Sequence, residues 1–489
     1  MSDTIFDCCI IGAGVIGSAI ARQLAKYQIN LIVVEKGADV CSGTSKANSG
    51  IVHAGYAAKP GTLKAKFNAL GNTLFDQVCQ ELKVPFERNG TFVVAVAEDN
   101  VKMLEELYQR GITNGIPNLE IITDKNRIKN MEPSITDEVS SVLFAPTGGI
   151  ISPYDLTIGL AENAYSNGVQ FQFNSEVTKI DVKENYKSIQ TIYNEIKAKV
   201  VINAAGVYAD AISRMAGLDY FSITPRKGEY ILLDKKSIEL NRVLFPIPTS
   251  ISKGIVVSPT YEKHIFLGPN AQEVNDKDEK STTTEGFLEI IKGGRKLIPN
   301  LPINQAIVTY AGLRAVSNTN DFIIEPTKVE GFINVAGIQS PGLSASLAIA
   351  ERVIEIINEI GTELAPNPSF NPIREIPPRF ATSSNETRHQ LISQNPEYGN
   401  IICRCEHVSE AEVKAAIHRP LGATTLDGIK FRTLLGMGRC HGGFCTNRVL
   451  KILSEELDLP VEDISKKGPS SELVVGKTKD LRRAKVEGN

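Results

Sequence analysis

Residues 5–35 read IFDCCIIGAGVIGSAIARQLAKYQINLIVVE. An apolar run, Ile5 to Ile11, leads into Gly12-Ala-Gly14-Val15-Ile16-Gly17. A helical pattern follows to Lys26, and a second apolar run, Leu31 to Val34, ends in Glu35. Strand, glycine turn, helix and strand in that order make a βαβ unit. Gly12 permits the tight turn, Gly14 lets the backbone approach a pyrophosphate, and Gly17 lets helix and strand pack closely. The helix start supplies unpaired N–H groups and the positive end of a dipole. Glu35, 23 residues after Gly12, suits the ribose hydroxyls, and its charge disfavours the 2′-phosphate of NADP. The motif leaves open which dinucleotide binds.

Working outward, residues 41–61 are rich in Gly, Ser and Thr, as a functional loop is. Residues 62–82 show a helical period with Leu63, Phe67, Leu70, Leu74, Val78 and Leu82 on one face. A strand is expected over Thr91–Val96 and a helix over 99–110. A helix over Leu156–Asn167 and strands over 169–193 precede a buried strand, Lys199–Ala204, which opens into Ala205-Gly206-Val207. From Pro225 to about Val316 the pattern shifts to short β-rich runs such as GEYILL, KGIVVSP and HIFLGP. Strand Phe332–Ala336, the turn Gly337–Gly342 and helix Leu343–Ile360 follow. This second glycine-bearing turn precedes a helix with no acid in its first turn. That helix end could stabilise negative charge on a reduced isoalloxazine, or the segment is an ordinary strand–helix connection. Six prolines between 361 and 400 mark a linker. A compact cysteine segment and a charged tail, Lys466–Asn489, close the chain.

The 489 residues are 42% hydrophobic and 22% charged, an ordinary soluble balance. Lys plus Arg total 53 against 56 Asp plus Glu, which leaves no electrostatic footprint for nucleic acid. Trp is absent and aromatics make up 6%, against base-stacking platforms. No apolar stretch is long enough for a spanning helix, and MSDTIFDCC lacks the marks of a signal peptide. A cytoplasmic enzyme is the expectation.

Cys8, Cys9, Cys41 and Cys79 are scattered and read as small buried hydrophobes. Cys403-Arg-Cys405 and, after 34 intervening residues, Cys440-His-Gly-Gly-Phe-Cys445 place four thiolates in two close pairs. Such a quartet holds zinc or an iron–sulfur cluster, and spacing alone does not choose. His407 and His441 read as surface or supporting residues beside a fully cysteine-ligated site.

The runs GAGVIGSAIARQL (12–24), SGTSKANSGIVHAGY (42–56), NAAGVYAD (203–210) and GIQSPGLSASLAIAE (337–351) resemble the FAD-dependent glycerol-3-phosphate dehydrogenase and glycine or D-amino-acid oxidase superfamily. The resemblance covers about residues 5–360. It implies bound FAD, with the pyrophosphate on Gly12, Gly14, Val15, Ile16 and Gly17 and the adenosine ribose on Glu35 beside Lys36. It also implies flavin contacts from Thr44, Ser45, Ser49, Gly50, Ala205 and Gly206, and from Gln339, Ser340, Pro341, Gly342 and Leu343. Val177 matches the strand position whose backbone meets the adenine.

IICRCEHVSEAEVKAAI (401–417) and TTLDGIKFRTLLGMGRCHGGFCTNRVLKIL (424–453) resemble the bacterioferritin-associated ferredoxin-like module. That resemblance implies a 2Fe-2S cluster on Cys403, Cys405, Cys440 and Cys445. The same module is appended to the catalytic subunit of anaerobic glycerol-3-phosphate dehydrogenases. A flavin takes an electron pair and a cluster passes electrons singly, so the pairing points to a dehydrogenase feeding an acceptor protein or further subunits. The expected architecture is α/β: an FAD-binding Rossmann-like domain with an inserted β-rich substrate domain, plus a small α-rich iron–sulfur module held by four cysteines. FAD-binding parts are placed at 1–85, 151–224 and 317–362, substrate-domain parts at 86–150 and 225–316. A linker follows at 363–399, the module at 400–460 and a tail at 461–489.

Oxidising a secondary alcohol needs a base near the hydroxyl and a cation for an anionic substrate. His53, in the glycine-rich loop, is the candidate base, or else positions the loop or flavin. Arg314, in Tyr310-Ala-Gly-Leu-Arg-Ala, matches the substrate-side arginine of the superfamily, and its planar fork suits carboxylate or phosphate. A structural ion pair is the other reading. Lys227 and Tyr230, in RKGEY, align with a substrate-side segment. The glycerol-3-phosphate enzymes carry further basic residues where this chain has Asn320-Asp321 and Gln339-Ser340, and HAGYAAKPGTLKAK (53–66) is similar to L-2-hydroxyglutarate-oxidising enzymes. The architecture favours glycerol 3-phosphate, oxidised to dihydroxyacetone phosphate, and the substrate-side residues favour a 2-hydroxy acid. Amine oxidation, as of hydroxyproline, and a non-catalytic electron-transfer subunit are the remaining alternatives. Membrane association is expected at most peripherally, through a partner.

Overall fold

A computed structural model describes residues 4–96, 101–235, 237–248, 254–476 and 478–479. Within them the chain forms two compact units, residues 1–35 with 40–374, and residues 36–39 with 375–489.

The first unit holds two large sheets. The parallel heart of one comprises β1 (Ile5–Ile11), which leads through helix α1 (Val15–Leu24) to β2 (Leu31–Val34). Its later strands are β3 (Glu195–Asn203) and β6 (Phe332–Ala336). The other sheet is built around the long pair β4 (Ile223–Leu233) and β5 (Ala306–Ser317). Helices α2 (Leu63–Leu82) and α3 (Gly342–Glu359) pack in the same unit.

β1 pairs in parallel with both β2 and β3, and β3 pairs in parallel with β6. Cys8, Cys9 and Ile10 have no exposed surface and Ile11 has 5%, as expected of a strand covered on both faces. Each fully buried Ile or Leu contributes about 1.5–3 kcal/mol. Because these strands run the same way, their carboxyl ends deliver Gly12, Glu35, Ala204 and Gly337 to one edge of the sheet, where ligands of doubly wound folds bind.

Among the described residues the second sheet has nine strands and draws on Thr91–Ala95, Glu120–Ile122 and Ser141–Ala145 as well as the 223–317 region. β4 and β5 run antiparallel from Ile223↔Ser317 to Leu233↔Ala306. Side chains alternate between faces, so Arg226, Gly228 and Tyr230 share one face of β4 and Lys227 and Glu229 the other.

The mixed α/β class agrees with the expectation from sequence, and several elements differ in detail. The 225–316 region, read as short strands alone, also contains helix Thr284–Leu297, started by Thr283, whose hydroxyl accepts from Gly286 N. The helix expected at 99–110 spans Val101–Thr113; its first two expected positions lie outside the described residues, as do Lys253 of the KGIVVSP run and the tail from residue 480. The buried face of α2 is turned from the expected one. Leu70 is 50% exposed, while Asn68 and Asn72 are buried with Phe67, Phe75 and Cys79.

In the second unit, strands β7 (Ile401–Cys403) and β8 (Val408–Ser409) pair beside helices α4 (Glu410–His418), α5 (Leu426–Thr433) and α6 (Thr446–Leu457). Ser409 and Glu412 form a reciprocal capping box at the start of α4. Val413, Ile429, Val449 and Leu453 fill its core. The stretch expected as linker is not structureless: helix Asn385–Gln394 lies in it, capped by Ser384. At the end of the first unit, Arg374 is buried and paired with Glu162 at 2.7 Å and Asp155 at 3.2 Å.

Candidate active site and cysteine centre

The turn after β1 is built for close approach. A Cβ on Gly17 would stand 1.9 Å from the Gly12 carbonyl oxygen, so only glycine lets α1 begin there. Ala13 N donates to Glu35 Oε2 at 2.8 Å, which anchors the acid beneath the turn. Val15 N donates to Ser45 Oγ at 2.9 Å, bringing the 42–50 loop to the start of α1. Thr44 Oγ1 donates to Leu313 O at 2.6 Å. A Cβ on Gly312 would lie 1.9 Å from Ala47 O, so the loop is pressed against the strand that carries Arg314.

The other cofactor-binding candidates come from separate parts of the chain. Ser49 is half-buried beside Gly50, whose carbonyl accepts from Ile151 N at 2.9 Å. Val177, with 7% of its surface exposed, opens the strand paired with Lys187–Thr191. Ala205 precedes a short turn begun by Gly206 at φ +58. Gln339, Ser340 and Pro341 form the turn into α3, which starts at Gly342 and Leu343 with no acid in its first turn. Lys36 is exposed and belongs to the second compact unit.

His53 is held by its backbone. Its N–H donates to Ser344 Oγ at 2.8 Å, and its carbonyl accepts from Asn72 Nδ2 at 3.1 Å and Asn68 Nδ2 at 3.3 Å. Asn68 and Ser344 have no exposed surface and Asn72 has 5%, so the clamp is rigid. Arg88 Nη1 donates to Asn72 Oδ1 at 3.1 Å and fixes that amide in turn. The imidazole Nε2 lies 3.3 Å from Ser340 Oγ, and the ring tilts against Phe245 at 5.7 Å.

His53, Ser340 and Pro341 line a cleft of about 480 Å³ that also meets Lys59, Lys64 and Asn68. Lys64 Nζ donates to the Asn320 carbonyl. Burial pulls its pKa down, with Asp321 opposing. The Asp321 carboxylate accepts from Leu63 N at 2.9 Å and Lys64 N at 3.1 Å, capping α2. Asp321 therefore has a structural task, and the cleft's cations come from α2 and the loop before it.

Arg314 and Tyr230 are brought together, and Lys227 is not. Arg314 donates to Asn270 O at 3.2 and 3.3 Å. Burial raises the Tyr230 phenol, against the pull of Arg314. Tyr230 stacks on Tyr310 with centroids 4.7 Å apart. Lys227 points to the opposite face, 3% exposed; its Nζ donates to Ser281 O at 3.0 Å and lies 3.5 Å from Glu229 Oε1. Strand alternation and the ion pair with Glu229 thus put Lys227 on the face of β4 opposite Tyr230.

In the second unit, Cys403 and Cys445 are buried, while Cys405 and Cys440 are partly exposed, their sulfurs 3.6 Å apart. A hydrogen bond from Cys445 and the backbone N–H groups of Gly436, Glu406 and Cys405 lower the Cys403 thiol to about 6 despite burial. Cys440 is lowered too: burial opposes, and Cys405 and the amides of Gly442 and Phe444 prevail. The cysteines thus fall into two pairs, 403 with 445 and 405 with 440. No three His, Cys, Asp or Glu side chains among the described residues converge as ligands of a single ion.

Residues 7–356 match the family described as FAD dependent oxidoreductase, and residues 401–455 match the BFD-like [2Fe-2S] binding domain. The chain belongs to the FAD-dependent oxidoreductases. It is 46% identical to the glycerol 3-phosphate dehydrogenase of Caloramator mitchellensis, over 97% of this chain and 99% of that one. It is 34% identical to the glycerol 3-phosphate oxidase of Mycoplasma genitalium, over 75% of this chain and 98% of the relative. The mitochondrial L-2-hydroxyglutarate dehydrogenase of Arabidopsis thaliana is 26% identical over 71% of this chain and 82% of its own. The dithionite-reduced L-α-glycerophosphate oxidase of Mycoplasma pneumoniae, solved with FAD bound, superposes with a TM-score of 0.73 at 33% identity. It covers 76% of this chain and 99% of its own.

As a member of that family the chain uses FAD, and its residues fit the cofactor. Gln339 Nε2 is buried and has no hydrogen-bond partner among the described residues, an amide donor waiting for a heteroatom in the turn before α3. The start of α3 has no side-chain cap, which leaves its dipole end available for negative charge. The thiol set fits a 2Fe-2S cluster in the same way: four sulfurs in two pairs, with backbone amides that favour thiolate.

Asn68, Asn72, Ser344, Lys59 and Lys64 were not singled out as site residues from the sequence. The Asn pair carried one signal, two amides four residues apart on a helix with an otherwise apolar face.

Proposed function

We propose that the chain is a glycerol-3-phosphate dehydrogenase that oxidises the substrate's secondary alcohol to the ketone of dihydroxyacetone phosphate and sends the electrons out through its cysteine module. The observation that carries this is the 46% identity to a glycerol 3-phosphate dehydrogenase along 99% of that relative. The glycerol 3-phosphate oxidases, by contrast, are matched almost end to end by three quarters of this chain. An enzyme with an added one-electron centre suits delivery to an acceptor protein or further subunits.

In this reading Gly12–Gly17 take the pyrophosphate, Glu35 the ribose, and the 42–50 loop with Gln339–Leu343 the isoalloxazine. Residues 1–85, 151–224 and 317–362 hold the cofactor, and residues 86–150 and 225–316 frame the substrate. FAD supplies the hydride acceptor. His53 takes the hydroxyl proton on its ring, kept in place by its clamped backbone and by Ser340 Oγ at 3.3 Å. Arg314, steadied by Asn270 and Tyr230, orients the anionic end, and Lys59 and Lys64 raise the local concentration of anions at the cleft. Cys403, Cys405, Cys440 and Cys445 hold the 2Fe-2S cluster. Iron and acid-labile sulfide in equal amounts support that assignment, and zinc without iron removes it.

A second reading, L-2-hydroxyglutarate oxidation, is favoured by the cleft segment His53–Lys66 and by relatives at 24–30% identity. Anaerobic mixing with each substrate separates the two, since only the true one reduces the flavin within a turnover time.

A further inference from the structure

We propose that the exposed rim around the outer cysteine pair, Cys405 and Cys440, docks an acidic protein carrying a one-electron centre. The proposal rests on the reading that these cysteines hold a 2Fe-2S cluster. The inner cysteines, Cys403 and Cys445, are each 1% exposed, whereas the outer pair reaches the surface. Any electron leaving the module to a second protein passes most directly through that outer side.

The two chain segments that carry it are one-sided in charge. Arg404 stands exposed between Cys403, the last residue of β7, and Cys405 in the turn that follows. Arg448 is exposed on the first turn of α6, where its Nη1 donates to Ile401 O at 3.2 Å. His407 and His441 flank the outer cysteines and are also exposed. Glu406, the one acid in segments 403–408 and 440–448, is buried at 6%. At the tip of the second segment Phe444 is 85% exposed. An exposed aromatic in segments that also carry exposed arginines suits an acidic partner, the charges steering encounter and the ring fixing register. Among the described residues of these two segments Phe444 is the one exposed large hydrophobic side chain, and a membrane-inserting surface needs a continuous hydrophobic side.

The stoichiometry follows. Each alcohol oxidised to a ketone reduces two carrier molecules by one electron each and releases two protons to solvent.

The test uses the full-length protein with its flavin and iron, immobilised and challenged with an acidic 2Fe-2S ferredoxin, a basic cytochrome c and phosphatidylglycerol vesicles. The ferredoxin should bind, less tightly as salt rises. Arg404→Glu and Arg448→Glu should each weaken it about tenfold, and Phe444→Ala should speed its dissociation, with iron content retained. Arg448→Glu and Phe444→Ala carry the result should Arg404→Glu shed iron. Wild-type affinity in the iron-retaining variants would overturn the proposal. So would preference for the cytochrome, or binding to vesicles in place of ferredoxin. Iron present with no ferredoxin bound refutes the docking surface alone; no iron in the wild-type protein refutes the cluster reading beneath it.

Discussion

His53 carries the chemistry of the proposed reaction, so its replacement should spare binding and remove rate. His53→Asn should keep FAD and lower the rate of flavin reduction by roughly 10²–10⁴-fold, the usual span of a lost general base, as measured by anaerobic stopped flow. A second histidine reports on stability instead. Burial pushes His264 down to about 4, and its Nε2 is without a partner among the described residues. The folded state therefore favours the neutral ring. That contribution is full above the unfolded value near 6.5 and is lost as pH falls toward 4, on the order of 3 kcal/mol in all. The melting temperature should drop across this window, and His264→Leu should flatten the drop. At this scale the candidates His53, Arg314, the glycines and the cysteines are legible because they stand in motifs. What the motif RKGEY does not show is that Lys227 and Tyr230 lie on opposite faces of the strand, or that Lys227 also meets Glu279, 52 residues away.

Helix α2 shows where element-level reading fails. A period of apolar residues placed Leu70 and Leu74 inward. The helix is instead turned so that Asn68 and Asn72 face the core, since their amides satisfy the His53 carbonyl. A hydrophobic count cannot see such a trade, because a buried amide is acceptable once it is bonded. Asn72→Ala should leave a buried carbonyl and Arg88 short of partners, cost about 1–3 kcal/mol and lower kcat roughly tenfold with KM little changed. Steady-state kinetics and a thermal melt read both. The glycine turn makes the opposite case, fully legible and unforgiving. With a Cβ 1.9 Å from the Gly12 oxygen, Gly17→Ala should yield protein with little bound FAD by absorbance.

On the scale of the molecule there are two compact units, and the proposed function assigns an electron pair to one and single electrons to the other. The proline-rich stretch marks a linker in the sequence, although its helix at Asn385–Gln394 is not visible there, since that helix is polar nearly all round. Serine at both Cys405 and Cys440 should abolish bound iron and leave the flavin reducible by substrate. Iron analysis and an absorbance spectrum check this together. The most direct test of the proposed function is an anaerobic absorbance titration of the purified protein with glycerol 3-phosphate. The flavin band should bleach rapidly, at a stoichiometry set by the flavin plus the cluster. A flavin that stays oxidised with glycerol 3-phosphate, yet is reduced by dithionite or by L-2-hydroxyglutarate, would contradict it.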